Sequence, residues 1–125
     1  MPNKVTNTLI VESDPNLGEL WARHLRRQGG TVRLAQTQSE AILALQAESF
    51  DIIVLDLILS DGSALAVADF ASFRSPDTRV IFVTDTTFFS DGSIFAHSAN
   101  ACAYVQTDTL PEDLAAIVEH YGSAR

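Results

Sequence analysis

Ile52-Ile53-Val54-Leu55-Asp56-Leu57 is the stretch on which the reading of the fold turns. A short unbroken run of branched apolar residues reads as a central strand, and here it ends on a carboxylate. Four more segments of similar character lie at residues 8–11, 31–35, 79–84 and 101–105. The stretches between them carry helical periodicity. Asp14 can cap the first helix, Pro15 suits its first turn, Leu17, Leu20, Trp21 and Leu25 form one apolar stripe, and Gly29 and Gly30 end it. The second helix opens on Thr37 with Glu40 three residues later, a capping box, and should bury Ile42 and Leu45. A third is expected over residues 64–73, stopping near Ser75-Pro76 because the residue before proline is pushed out of helical geometry. Pro111, Glu112 and Asp113 mark the start of the last helix, whose stripe is Leu114, Ile117, Val118 and Tyr121, before Gly122. Turn and cap residues crowd the segment 85–100, which reads as a loop followed by a short fourth helix.

Strand and helix alternate throughout, so the expected fold class is α/β: a doubly wound, five-stranded parallel sheet with five helices. Right-handed crossovers leave few topologies, and the flavodoxin-like order 2-1-3-4-5 is the one chosen. Ligands of such sheets sit beyond the carboxyl ends of the strands at the switch point, here between the first and third strands.

Length and charge narrow the function. The 125 residues, 46% of them hydrophobic, make one domain spanning residues 1–125. Sixteen acidic against eight basic residues give a net charge of -8, which opposes unspecific attraction to nucleic acid or to an anionic membrane surface. The apolar runs are far too short to span a bilayer and no signal-peptide layout opens the chain, so a cytoplasmic protein is expected. The single cysteine, Cys102, has no partner for an internal disulfide and reads as a small core residue. His24, His97 and His120 show no metal-ligand spacing and read as helix-surface or helix-end residues.

The switch point is acidic. Glu12, Ser13 and Asp14 follow the first strand and Asp56 ends the third, so carboxylates converge on one edge. Such a pair suits Mg2+, which takes oxygen ligands and usually needs only one or two carboxylates beside phosphate and water. With charge neutralised by the metal, a carboxylate can act as nucleophile on a phosphoryl group and form an aspartyl phosphate; Asp56, on its apolar central strand, is the candidate. Thr84 closes the fourth strand, where its hydroxyl could hydrogen-bond a phosphoryl oxygen.

Leu9-Ile10-Val11-Glu12 with Asp14-Pro15, the segment from Asp56 to Ser63, Val83-Thr84-Asp85 and Ala103-Tyr104-Val105 together resemble the receiver domain of two-component response regulators, over nearly the whole chain. The resemblance implies Asp56 as phosphoacceptor, Glu12 and Asp56 as metal ligands with the Ile58 carbonyl, and Thr84 and Tyr104 as the switch pair. It implies a histidine kinase or phosphotransfer protein as donor, and a protein target that docks on the face formed by the fourth helix, fifth strand and last helix. It does not imply an enzyme in its own right. Ser13 stands where the family usually has a carboxylate bound to the metal, so Mg2+ affinity should be weakened. Thr107 stands at the place of the family's lysine, and Ser60 and Asp108 stand where prolines are common.

Phe88, Phe89 and Phe95 fall in the weakly patterned segment; with Tyr104 and the last helix they outline an apolar contact face for a downstream protein or a second copy of the chain, the bland reading being that they fold over the core. Other classes fit less well. A flavin carrier needs a Gly, Ser and Thr-rich loop where Glu12-Ser13-Asp14-Pro15 stands, a dinucleotide site needs Gly-x-Gly-x-x-Gly, and a haloacid-dehalogenase-type phosphatase needs an Asp where Ile58 stands. The rival that remains is a phosphorylation-independent receiver acting as an interaction module, which Ser13 and Thr107 favour.

Overall fold

A computed structural model of the chain describes residues 5–84 and 100–123. Its strands are β1 (Asn7–Val11), β2 (Thr31–Ala35), β3 (Ile52–Asp56), β4 (Arg79–Thr84) and β5 (Ala101–Gln106). Its helices, among the described residues, are α1 (Pro15–Arg27), α2 (Gln38–Ala47), α3 (Ala64–Arg74) and α4 (Pro111–Ser123). All strands pair in parallel in the order β2-β1-β3-β4-β5, the expected topology. The short helix expected within residues 85–100, the fifth of that expectation, lies outside the described residues, as do Phe88, Phe89, Phe95 and His97.

The two-faced burial of β3 explains its unbroken apolar run. Ile53 and Leu55 point into a cluster with Val67, Ala68 and Ala71 of α3 and Ala41, Ala44 and Leu45 of α2. Ile52 and Val54 point the other way, to Trp21, Ala22 and Leu25 of α1 and Leu114, Ala115 and Val118 of α4. Every one of these side chains leaves water almost completely, at about 1.5–3 kcal/mol for each large one. β2, at the sheet edge, keeps only Ala35 buried and tolerates Arg33 and Thr31 for that reason.

The helix ends follow the chemistry read from the sequence, with three adjustments. Asp14 caps α1, its Oδ1 accepting the Asn16 and Leu17 N–H groups at 2.9 and 3.4 Å, and Thr37 caps α2 through the Glu40 N–H at 3.1 Å. Ser63 caps α3. On α2 it is Ala41, Ala44 and Leu45 that are buried, while Ile42 is half-buried: small residues let this helix lie close to the sheet, and the branched one is left at its flank. α4 runs through Gly122 to Ser123, because Gly122 is buried where a Cβ would run into the Thr6 side chain, so the missing side chain serves packing and not a helix stop. β3 closes at Asp56, leaving Leu57 outside the strand.

Candidate functional site

Register places the acidic residues. Val11 lies beside Leu55 in the β1–β3 ladder, so one step further Glu12 and Asp56 come side by side at the switch point. α1 covers Glu12 closely: a Cβ on Gly18 would lie 3.6 Å from the Glu12 Cβ. Glu12 is consequently only 5% exposed. One of its carboxyl oxygens, Oε2, accepts the Asp14 N–H at 3.0 Å. The other, Oε1, is buried and meets no hydrogen-bond donor among the described residues. Burial first, and then the Asp56 carboxyl with which it can share a proton, push the Glu12 pKa from the ordinary 4.5 to about 8, against the opposing pull of the Asp14 N–H. Burial and the neighbouring carboxyl thus favour the protonated form of metal-free Glu12.

Asp56 is half-buried at the open end of β3, where its Oδ1 accepts the Ile58 N–H at 3.0 Å and turns the chain out of the sheet. That turn puts Ile58 in the loop directly beyond the carboxylate, with its side chain 55% exposed. An acceptor oxygen with no donor among the described residues, beside a second carboxyl group, is a donor set that fits a hard divalent cation. Among the described residues no three His, Cys, Asp or Glu side chains gather at one point; the side-chain oxygens at this mouth that could face a cation are those of Glu12 and Asp56. The Oδ1 of Asp14 is engaged as the α1 cap.

Thr84 and Tyr104 lie on the next two strands. Thr84, 1% exposed, ends β4, and its carbonyl accepts the Thr107 N–H at 2.9 Å, which ties the start of the β5–α4 loop to the site edge. Phe82 and Tyr104 are register partners whose rings stack at 5.5 Å and 20°. Strand periodicity puts Thr84 on the same sheet face as Phe82, so Thr84 and Tyr104 share a face, with the ring one step lower. Burial raises the Tyr104 phenol. The four side chains singled out from sequence thus occupy one sheet edge: Glu12 and Asp56 adjoin, while Thr84 and Tyr104 flank them on β4 and β5.

Other expectations resolve more simply. Cys102 is half-buried against the α1/α4 cluster, and burial pushes its thiol up to about 11, which disfavours the thiolate. The Nδ1 of His24 lies 3.1 Å from the Leu20 carbonyl on α1, and His120 packs edge-on to Tyr121. None of the described helices is long and apolar enough to cross a membrane.

Sequence reasoning missed the residues that hold the loop after Asp56. Gly62 has φ +99°, and a Cβ there would overlap the Gln38 side chain. The Gln38 N–H donates to the Asp61 carbonyl at 3.2 Å, and its side-chain Oε1 accepts the Ser63 N–H at 2.8 Å. Asp61-Gly62 is a turn dipeptide and was the available signal; the role of Gln38 had none, because the contact joins segments distant in sequence.

Against known families, the model of the response regulator receiver domain matches residues 8–119. The chain belongs to the response regulator receiver family. Receivers are signalling domains of two-component systems, working with histidine kinases and downstream effectors. The chain is 33% identical over 116 residues, 93% of its length, to the response regulator protein PilR of Pseudomonas aeruginosa, and spans 25% of that protein. It is 36% identical over 76 residues, 61% of its length, to the acid tolerance regulatory protein ActR of Rhizobium meliloti, spanning 39% of it. Among solved structures, the non-phosphorylated HemR receiver domain from Leptospira biflexa superposes with a TM-score of 0.84 at 25% identity, over 96% of each chain. A CheY-like receiver domain protein from Methanospirillum hungatei gives 0.85 over 95% of this chain and 94% of that one, at 24% identity, a likeness of fold.

Proposed function

We propose that this receiver accepts a phosphoryl group on Asp56 from a histidine kinase or phosphotransfer protein and signals through protein contacts. The observation that carries the reading is the pairing of buried Glu12, with its donorless Oε1, and Asp56 at the mouth between β1 and β3. In the transfer, an Asp56 carboxylate oxygen bonds to phosphorus as the bond from phosphorus to the donor's imidazole nitrogen breaks. Bound Mg2+ would neutralise charge on the carboxylates and the transferring group. Glu12 and Asp56 would hold the cation with the Ile58 carbonyl, after the shared proton leaves. The buried Thr84 hydroxyl, at the edge of the same crevice, would receive a phosphoryl oxygen, and Tyr104 would complete the switch. Thr107 supplies no cation to the phosphoryl group from the β5 side, so transfer should be slow, and Ser13 in place of a carboxylate should leave Mg2+ binding weak. The target face includes Tyr104, with Phe88 and Phe89 as its proposed neighbours; a downstream protein or a second copy of the chain would dock there. The net charge of -8 disfavours direct contact with nucleic acid.

A second reading is favoured by one observation: the Ser13 hydroxyl is committed to loop hydrogen bonds, not left facing a cation. On that reading the domain keeps the fold and docking face as an interaction module that works without phosphorylation. Intact-mass measurement after incubation with Mg2+ and a small-molecule phosphodonor separates the two. A phosphoryl adduct on the wild type and none on Asp56→Asn is the expected result. A folded wild type that forms no adduct with saturating donor refutes phosphotransfer and leaves the interaction module.

A further inference from the structure

Ser13 and Ser60 stand apart in sequence, and both depart from the receiver pattern. In this structure they meet. The Ser13 Oγ accepts the Ser60 N–H at 2.8 Å, and the same hydroxyl lies 3.4 Å from the Gln36 carbonyl as donor. A hydroxyl can do both at once, whereas a carboxylate cannot donate and a proline at position 60 would have no N–H to give. Three loops are joined at this one oxygen: β1–α1 through Ser13, β2–α2 through Gln36 and β3–α3 through Ser60. Two residues further on, Gln38 holds the same loop again through the Asp61 carbonyl and the Ser63 N–H. The loop is therefore pinned at Ser60 on one side and at residues 61–63 on the other, and Ile58 lies between the first pin and Asp56.

We propose that Ser13 is a positioning residue that anchors the β3–α3 loop and so sets the Ile58 carbonyl beside Asp56 for a divalent cation. The inference rests on the phosphoacceptor reading of the site. Ser13 acts through Ser60: one lone pair of its oxygen accepts the Ser60 N–H, and its proton is directed to Gln36. The loop is ordered before the cation arrives, and the ordering cost is not charged to cation binding.

The test compares wild type, Ser13→Ala, Ser13→Thr and Ser60→Ala by amide hydrogen exchange at residue 60 in metal-free buffer and by Mg2+ titration followed through amide chemical shifts. A net hydrogen bond of ordinary strength predicts about three- to tenfold faster Ser60 exchange in Ser13→Ala, with Mg2+ dissociation weakened by a similar factor. Ser13→Thr, which keeps the hydroxyl, and Ser60→Ala, which keeps the backbone N–H, should match wild type in both. Unchanged Ser60 exchange in Ser13→Ala overturns the anchor, and so does faster exchange with unaltered Mg2+ affinity. A wild type that binds Mg2+ no differently from Ser13→Ala fails the anchor alone; a wild type that binds none fails the reading of the site.

Discussion

Substituting Glu12→Gln should make the metal-free protein more stable at high pH, against the usual expectation that removing a native charge from a signalling site does nothing or harm. Glu12 is 5% exposed, and its pKa rises from the ordinary 4.5 to about 8 through burial and the Asp56 carboxyl. A folded-state pKa above the unfolded one means that the native chain keeps a proton the unfolded chain has already released. The associated stability is complete below pH 4.5 and declines until the pH passes about 8. Within that window the loss is about 1.4 kcal/mol per pH unit for one proton. From about pH 5.5 to about pH 7.5 wild type should therefore lose up to about 3 kcal/mol from this source. The substituted amide does not titrate and can donate to Asp56, so the variant should lack that slope. Urea denaturation of both proteins across the window measures it, and the difference between the curves removes the contributions of titrating groups the substitution leaves untouched and reports on the interacting Glu12–Asp56 pair. Saturating Mg2+, which binds the ionised pair, should flatten the wild-type curve and leave the variant's unchanged. Parallel curves for wild type and Glu12→Gln without metal would refute the argument.

Two backbone predictions follow from the loops around the site. Gly62→Ala forces a side chain into φ +99° and against Gln38, so it should cost roughly 2 kcal/mol or more in urea denaturation and loosen the α2 side of the Asp56 loop. Asp14→Ala removes the acceptor of the Asn16 and Leu17 N–H groups and should cost about 1 kcal/mol. Since Asp14 is a cap and not a cation ligand in this reading, that variant should bind Mg2+ in calorimetric titration as wild type does.

The physical meaning of the two serines and the glutamate is that this receiver's site is assembled differently at its rim. With a hydroxyl at position 13, one negative charge is absent from the mouth, and the remaining pair can hold a proton when metal is absent. The same hydroxyl organises the neighbouring loops. On the proposed reading, the missing carboxylate should lower Mg2+ affinity while the loop anchor should raise it, two effects of opposite sign from one residue.

Much was legible in the chain itself. The run Ile52 to Leu55, short and rich in branched residues, pointed to a strand buried on both faces, because a central parallel strand offers apolar surroundings to successive side chains. Caps at Asp14 and Thr37 were local chemistry, decided within three residues, and they occur where the sequence put them. The gathering of Glu12, just past β1, with Asp56 and Thr84 at the ends of β3 and β4 followed once strand order was known, since parallel strands present their carboxyl ends together. Other features required the folded chain. The raised pKa of Glu12 depends on α1 lying over it and on Asp56 arriving from forty-four residues away. The Ser13–Ser60 bond joins two loops that share no local pattern, and Gln38 meets Gly62 only because α2 and α3 pack side by side. Local propensity and periodicity act over a few residues and are written in the sequence, whereas desolvation and hydrogen bonds between loops are properties of neighbours that only the packed sheet and its helices bring together.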